Sequence, residues 1–71
     1  MNTTELSLVL RKEFGYSKAE CYRITDTLLK AIRSEVKKGN PVRLRNFGTF
    51  QAREIYGRLR AKFTDSKNFF K

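Results

Sequence analysis

The sequence predicts an α+β fold in which two N-terminal helices precede a three-stranded antiparallel β-sheet. Apolar residues recur every three or four positions as far as Val36, which is the spacing of one helix face. From Val42 to Phe63 apolar and polar residues alternate instead, a pattern typical of strands. Tyr56 and Gly57 interrupt that alternation, and a glycine at such a point favours a reversal of the chain.

The first helix is predicted to begin after Asn2 and to end at Gly15. Asn2 is a common capping residue, and Glu5 follows it at capping-box spacing. Gly15 suits the left-handed position that closes many helices. We expect the apolar residues between these ends, which recur at helical spacing, to lie in a core or a dimer interface. They are Leu6, Val9, Leu10 and Phe14.

The second helix is predicted to run from Lys18 to about Lys38. Ser17 and Glu20 have the spacing of a capping box at its start, and Gly39 can end it. Its apolar residues step by three and four, which is the spacing of a helix–helix contact. Those expected in the core or the dimer interface are Leu28, Leu29, Ile32 and Val36.

The alternation after Val42 predicts one strand over residues 42–45 and then a hairpin whose loop is Tyr56-Gly57. With that loop, residues 50–55 pair with residues 58–63. The apolar residues on one face of this sheet are expected to be buried. Together with Phe47 in the preceding connection, they form the predicted core set of Leu44, Phe47, Phe50 and Phe63.

The other face of the predicted hairpin is basic. The register places Arg53 opposite Arg60 and Gln51 opposite Lys62. Like charges directly opposite each other destabilise a sheet, so this arrangement indicates a polyanion that supplies the counter-charge. The alternative is a solvated strand face whose charges prevent edge-to-edge aggregation.

The length and charge of the chain predict a small dimeric domain with an anionic partner. Its 71 residues bury too little surface for much stability, and its single cysteine, Cys21, excludes an internal disulfide. Cys21 is expected to be a small buried side chain. The formal charge of +9 favours association with anionic polymers. We expect a helical dimerisation base at residues 1–40, a sheet with a short arm at 41–64, and a C-terminal tail at 65–71.

No grouping of residues predicts an enzyme. Histidine is absent, no glycine-rich phosphate loop is present, and the seven acidic residues are scattered. The sequence contains neither a signal peptide pattern nor an apolar run of membrane-spanning length, and a lone cysteine suits a reducing cytosol. We therefore expect a cytoplasmic protein with no metal, cofactor, small-molecule substrate or membrane partner.

Several segments carry a resemblance to a known family. They are the start MNTTEL, Ser17-Lys18, Lys38-Gly39, the run VRLRNFGTF at residues 42–50, and Arg53-Glu54. These segments resemble the bacterial histone-like proteins of the HU and integration host factor family. Members of that family form intertwined homo- or heterodimers with a helical base, and their two β-ribbon arms reach around DNA through the minor groove. The resemblance implies the same fold, a double-stranded DNA partner and a nucleoid location.

The resemblance also implies roles for individual residues. Arg53 is similar to a phosphate contact at the base of the family's arm, and Phe47 and Phe50 to core residues beneath the sheet. A shorter match at Asp65-Ser66-Lys67 resembles the base of the returning arm. Arginine suits phosphate because its planar fork matches the phosphate oxygens. The residues predicted to bind DNA, from charge and resemblance together, are Arg43, Arg45, Arg53, Tyr56, Arg58, Arg60, Lys62 and Lys67.

The sequence departs from the family pattern at the arm. Family arms are longer, and a proline at their tips wedges between base steps; here the ribbon turns at Tyr56-Gly57, and no proline follows Pro41. Asn46 stands where glycine is usual, and most of the family's C-terminal helix is missing. We therefore expect a short-armed and C-terminally shortened member that does not bend DNA by proline intercalation. Its last aromatic residues, Phe69 and Phe70, are expected to fold back onto the body.

The function expected from these observations is largely sequence-nonspecific binding of double-stranded DNA by an architectural homodimer. Another class of function is an interaction protein that heterodimerises with a full-length histone-like subunit or antagonises it. A third is RNA or single-strand binding, in which Tyr56 would stack on a base. On duplex DNA, Tyr56 is a candidate to stack on a sugar or to enter a base step; the alternative is that it serves only as a turn residue.

Overall fold

The computed structural model describes residues 1–71 and confirms the predicted α+β fold class. Two helices, α1 and α2, precede a three-stranded antiparallel sheet whose strand order is β1-β2-β3. Neither helix combines the length and the apolar character that crossing a bilayer requires. The elements are α1 (Thr3–Phe14), α2 (Lys18–Lys37), β1 (Val42–Leu44), β2 (Gly48–Ile55) and β3 (Arg58–Asp65).

Both ends of α1 are formed by the residues that the sequence indicated. The side chain of Asn2 accepts a hydrogen bond from the backbone N–H of Glu5 at 2.9 Å. Gly15 has a φ of 73°, and its N–H donates to the carbonyl of Arg11 at 2.9 Å. A residue with a Cβ would be strained in that left-handed conformation, so glycine ends the helix here.

The capping box of α2 is complete. The hydroxyl of Ser17 accepts from the N–H of Glu20 at 3.2 Å, and the carboxylate of Glu20 accepts from the N–H of Ser17 at 3.3 Å. At the other end the N–H of Asn40 donates to the carbonyl of Glu35, and the N–H of Gly39 donates to Val36, each at 3.0 Å. These two bonds form a Schellman motif, which ends α2 at Lys37, one residue earlier than predicted.

Small side chains are the buried ones in the compact unit formed by residues 1–31. Cys21 is fully buried, as predicted, and Ser7 and Thr25 are buried with it. The hydroxyl of Ser7 donates to the carbonyl of Thr3 at 2.7 Å, so this polar group is satisfied within its own helix. Most large apolar side chains of the unit remain exposed in the single chain. Those predicted for the core or interface are Leu6, Val9, Phe14, Leu28 and Leu29.

The sheet has the predicted hairpin register. Strands β2 and β3 pair along their whole length, from Ile55 opposite Arg58 to Gly48 opposite Asp65. The loop residues Tyr56 and Gly57 have φ of 51° and 77°, and two positive φ values are the geometry that matches the twist of a two-residue hairpin. The predicted pairing of the strands is therefore confirmed.

The first strand is shorter than predicted, because the chain turns immediately after Leu44. The N–H of Phe47 donates to the carbonyl of Leu44 at 3.1 Å, and Asn46 has a φ of 60°. Asparagine enters the left-handed region more readily than most residues, which allows Asn46 to stand where glycine is usual in the family that the sequence resembles. Arg45 consequently lies in the turn and not in β1.

An aromatic cluster, defined as Phe47, Phe50, Phe63 and Phe69, forms the centre of the unit made by residues 32–71. Neighbouring ring centroids within it are 4.9 to 6.4 Å apart. Gly48 lies directly against this cluster. A Cβ at this position would approach the Phe63 ring to 2.6 Å and would also press on the carbonyl oxygen of Thr64.

The C-terminal tail folds back onto this cluster, as expected for Phe69. The N–H of Ser66 donates to the carbonyl of Phe47 at 2.9 Å, and the side-chain amide of Asn68 donates to Asn46 Oδ1 at 3.2 Å. Phe70 contacts Phe69, with 4.9 Å between ring centroids, but it remains 87% exposed. The expectation therefore holds for the first of the two aromatic residues and only partly for the second.

Candidate nucleic-acid interface

The strand register sorts the side chains of the sheet onto two chemically different faces. Residues directly opposite each other share a face, and successive residues along a strand alternate between faces. The strand cations all fall on one side, which we call the basic face. We call the other side the opposite face; it carries the apolar strand residues except Ile55, together with Glu54 and Asp65. The cations of the basic face are Arg43, Arg53, Arg58, Arg60 and Lys62.

The positive charges of the basic face have no internal counter-charge. All five side chains are exposed, and the chain's one ion pair joins Lys38 and Glu35 elsewhere, at 3.5 Å. Arg53 lies directly opposite Arg60, as the sequence predicted. Repulsion between such a pair is relieved when an anion binds between or over the two guanidinium groups. The face is therefore suited to a ligand that presents several negative charges in a row.

Three of the eight residues predicted to bind DNA lie off the basic face. Arg45 is in the turn that follows β1, and Lys67 is in the tail beyond β3. Tyr56 is at the apex of the hairpin, where its side chain is fully exposed in a left-handed backbone conformation that bulky residues seldom adopt. The register thus brings five predicted residues together and leaves three outside it.

The sequence interpretation missed two polar residues of the basic face. Thr49 and Thr64 lie opposite each other there and are the next pair on this face after Gln51 and Lys62 towards the base of the hairpin. Hydroxyl groups are common donors to phosphate oxygens. The alternation that placed Gln51 on this face extends to Thr49, so the signal for this pair was present in the sequence.

Residues 1–31 present a second candidate interface, which is apolar. Phe14 and Leu28, both predicted to lie in the core or the dimer interface, are 62% and 63% exposed in the single chain. Ile24 is also exposed and was not among the predicted residues. With Leu28 it lines a depression of about 440 Å³ on α2, whose other lining residues are Glu20, Arg23 and Thr27. Exposed apolar side chains on this scale are typical of a surface that another chain covers.

Three of the four core side chains predicted for the sheet and the turn before β2 also keep substantial exposure in the single chain. Leu44, Phe47 and Phe63 are exposed, whereas Phe50 is half-buried. On α2, Ile32 and Val36 are half-buried, as is Leu10 on α1. Their complete burial in a dimer stays a prediction.

Comparisons with known proteins show what the chain is similar to. A family model described as bacterial DNA-binding protein matches residues 1–68. The DNA-binding protein HU of Geobacillus stearothermophilus is 35% identical over 54 residues, which are 76% of this chain and 60% of HU. Integration host factor subunit alpha of Bordetella pertussis is also 35% identical over 54 residues, 76% of this chain and 48% of that subunit. The chain therefore spans about half to three fifths of the length of these curated relatives.

A solved structure has the same fold. A mutant of HU from Thermotoga maritima superposes with a TM-score of 0.84 at 32% sequence identity. The superposition covers 97% of this chain and 93% of that one. The architecture of two helices and a three-stranded sheet is thus shared along nearly the entire chain.

Proposed function

The chain belongs to the family of bacterial DNA-binding proteins, and from that membership we propose that it binds double-stranded DNA without enzymatic activity. This membership also confirms the resemblance to HU and integration host factor. The observation that carries the proposal is the basic face, where five exposed cations and no acidic residue share one side of the sheet.

The proposed mechanism is electrostatic. Each cation that neutralises a phosphate releases a condensed counterion, and the logarithm of the binding constant falls by about 0.9 for each such contact per tenfold rise in salt. If all five cations of the basic face contact phosphates, the slope is about −4.5 per chain. Arg53 and Arg60 contribute most in this proposal, because their mutual repulsion is relieved only in the complex.

We propose that the binding is largely independent of sequence. Phosphate contacts fix the position of a protein on the duplex but carry no base information. Gln51 has the only side-chain amide on the basic face. The ribbon also lacks a proline wedge, so we propose weak bending of the duplex at most. A nucleoid location follows from this function and stays a prediction.

We further propose that the DNA-binding form is a dimer. Burying one leucine or phenylalanine side chain contributes about 1.5 to 3 kcal/mol, and side chains such as Leu28 and Phe14 are mostly exposed in the single chain. A second copy of this chain supplies a matching apolar surface and makes a homodimer. A related, longer subunit supplies one as well, and native mass spectrometry of the protein alone and mixed with an HU homologue separates the two assemblies.

The test of DNA binding is fluorescence anisotropy on duplexes of random sequence at several salt concentrations. The double variant Arg53→Ala with Arg60→Ala is expected to lose most of the affinity and to reduce the salt slope by about 1.8 per chain. Its thermal stability is expected to rise slightly, since the like-charge pair is gone.

The matched control is Lys30→Ala with Arg33→Ala, which also removes two positive charges, from exposed positions of α2. The control is expected to keep most of the affinity. An affinity that does not depend on salt concentration contradicts the proposal. A preference for one DNA site over random sequence by more than about a thousandfold also contradicts it, because sequence-specific proteins show preferences of that size. Tighter binding to single strands than to duplexes favours the stacking function instead.

A further inference from the structure

Strand β3 has one edge that no part of the chain covers. It lies at the end of the strand order β1-β2-β3, and no backbone hydrogen bond joins Arg58–Asp65 to any segment other than β2. Opposite residues of an antiparallel pair alternate between hydrogen-bonded and non-hydrogen-bonded positions, so every second residue of β3 directs its N–H and C=O groups away from β2. All eight residues of the strand are exposed. This row of backbone groups is therefore open to another extended chain.

The side chains along this edge alternate between two chemistries. Every second residue is a cation on the basic face, and the residues between the cations and after them are apolar and lie on the opposite face. Leu59 is 70% exposed and Phe63 is 40% exposed, so both can be covered further. A strand added at this edge meets charge on one side and apolar surface on the other. The two sets are Arg58, Arg60 and Lys62, and Leu59, Ala61 and Phe63.

A second copy of β3 does not match this edge. Two copies paired edge to edge in one register place cation opposite cation, which destabilises a sheet. A shift by one residue places the cations opposite apolar side chains instead, which leaves the charges without partners. Charged side chains on an edge strand commonly prevent self-association in this way.

The hairpin has a second free edge, on β2, which is less suited to a partner. β1 pairs only with residues 48–50 of β2, so residues 51–55 also have an uncovered side. That stretch is shorter than β3, and its one cation, Arg53, is followed by Glu54. The edge of β3 is the longer of the two and has the more uniform charge.

We propose that the edge of β3 binds an extended acidic segment of another protein, which adds to the sheet as a further strand. This partner is a protein and not DNA, so the inference goes beyond the proposed function. The backbone of the segment pairs with the outward-directed groups of β3, as when a peptide extends other sheets. Its acidic residues, at alternate positions, lie opposite the cations of β3, and its apolar residues cover Leu59 and Phe63. Opposite charges across a strand pair are stabilising, so the charges that exclude a second copy select this partner.

The test uses a fluorescently labelled, acetylated and amidated peptide of alternating glutamate and valine with the eight-residue length of β3. In an anisotropy titration with the full chain, its dissociation constant is expected to be at least about tenfold lower than that of a control peptide in which all glutamates precede all valines. The control has the same composition and charge, but it cannot place all its acids on one face of a strand. Methylation of the backbone amides of the alternating peptide is expected to abolish binding, because it removes the donors of the new ladder.

Arg60→Gln and Arg53→Gln form a matched pair that separates strand addition from simple attraction of charge. The two arginines lie opposite each other on the basic face, and each substitution removes one positive charge. An added strand lies next to β3 but about 10 Å from β2, because neighbouring strands are about 4.8 Å apart. Arg60→Gln is therefore expected to weaken peptide binding about three- to fivefold. Arg53→Gln is expected to weaken it by less than about 1.5-fold, because salt screens charges over that distance.

Equal losses in the two variants overturn the inference, as does equal binding of the alternating peptide and its control, because net charge alone then explains the binding. Absence of binding at millimolar peptide also overturns it. Amide hydrogen exchange of the protein without peptide tests the other occupant: protection of the edge amides of β3 that grows with protein concentration shows that a second copy covers the edge, and it refutes the inference. Failure of the wild type to bind duplex DNA refutes only the proposed function, since the peptide titration contains no DNA.

Discussion

Residues 1–31 and residues 32–71 differ in the size of the side chains that they pack together. In the first unit the buried side chains are small, namely Ser7, Cys21 and Thr25, and most of the large apolar ones are exposed. In the second unit four phenylalanine rings contact one another, and the tail is hydrogen-bonded back onto the turn that precedes β2. We therefore expect the helical unit to depend on another chain for most of its hydrophobic stabilisation, whereas the sheet unit supplies part of its own.

The largest effect is expected where the helical unit needs its partner. Leu29→Asp is expected to abolish dimerisation and folding together, because an unpaired charge in a covered apolar interface costs about 3 to 5 kcal/mol. That cost is most of the stability that a domain of this size has. Circular dichroism and analytical ultracentrifugation measure the two losses.

The control for this variant is Ser34→Asp, which makes the same change of charge at an exposed position of the same helix. It is expected to fold and dimerise as the wild type does. A folded, monomeric wild-type protein at micromolar concentration contradicts the dependence on a partner.

A smaller effect is expected inside the sheet unit, at Gly48. Gly48→Ala is expected to lower the free energy of unfolding by about 1 to 3 kcal/mol, because the new Cβ overlaps the Phe63 ring and the Thr64 backbone. The position has no positive φ, so the loss reports on packing and not on backbone strain. Chemical denaturation measures it.

Gly15→Ala separates the two causes of loss. Gly15 has a φ of 73°, and no atom lies within 4 Å of a Cβ added there, so only the backbone conformation opposes the substitution. The expected loss is about 1 kcal/mol. A smaller loss at Gly48 than at Gly15 shows that the aromatic cluster moves aside easily and weakens the contrast between the two units.

The smallest effect is expected at the apex of the ribbon. Tyr56→Asn creates an Asn-Gly loop, which suits two positive φ values, and is expected to stabilise the hairpin by about 0.5 to 1 kcal/mol. DNA affinity is expected to change by less than about 1 kcal/mol, below the contribution of a stacked base. Thermal melting and anisotropy are the measurements, and a tenfold loss of affinity identifies the Tyr56 ring as a DNA contact.

The features that the sequence predicted correctly are local. The reciprocal bonds of Ser17 and Glu20, the glycine that ends α1 and the hairpin register all follow from residues a few positions apart. Backbone sterics and hydrogen bonds between residues close in sequence decide such features, and both are set by nearby side chains. The placement of Arg53 opposite Arg60 belongs to the same class, because the position of the hairpin loop and the alternation of side chains along the strands are enough to predict it.

The features that the sequence left open depend on distant contacts. Helical periodicity assigned Leu28, and the family resemblance assigned Phe47, to the core or the interface, but neither could tell whether their own chain or another one covers them. The placement of Arg45 outside β1 depends on the left-handed Asn46, and the tail is held by contacts with that same turn. The clearance at Gly48 depends on a ring fifteen residues away in β3. Packing of this kind is a property of surfaces that meet only after the chain has folded, which is why no local pattern encodes it.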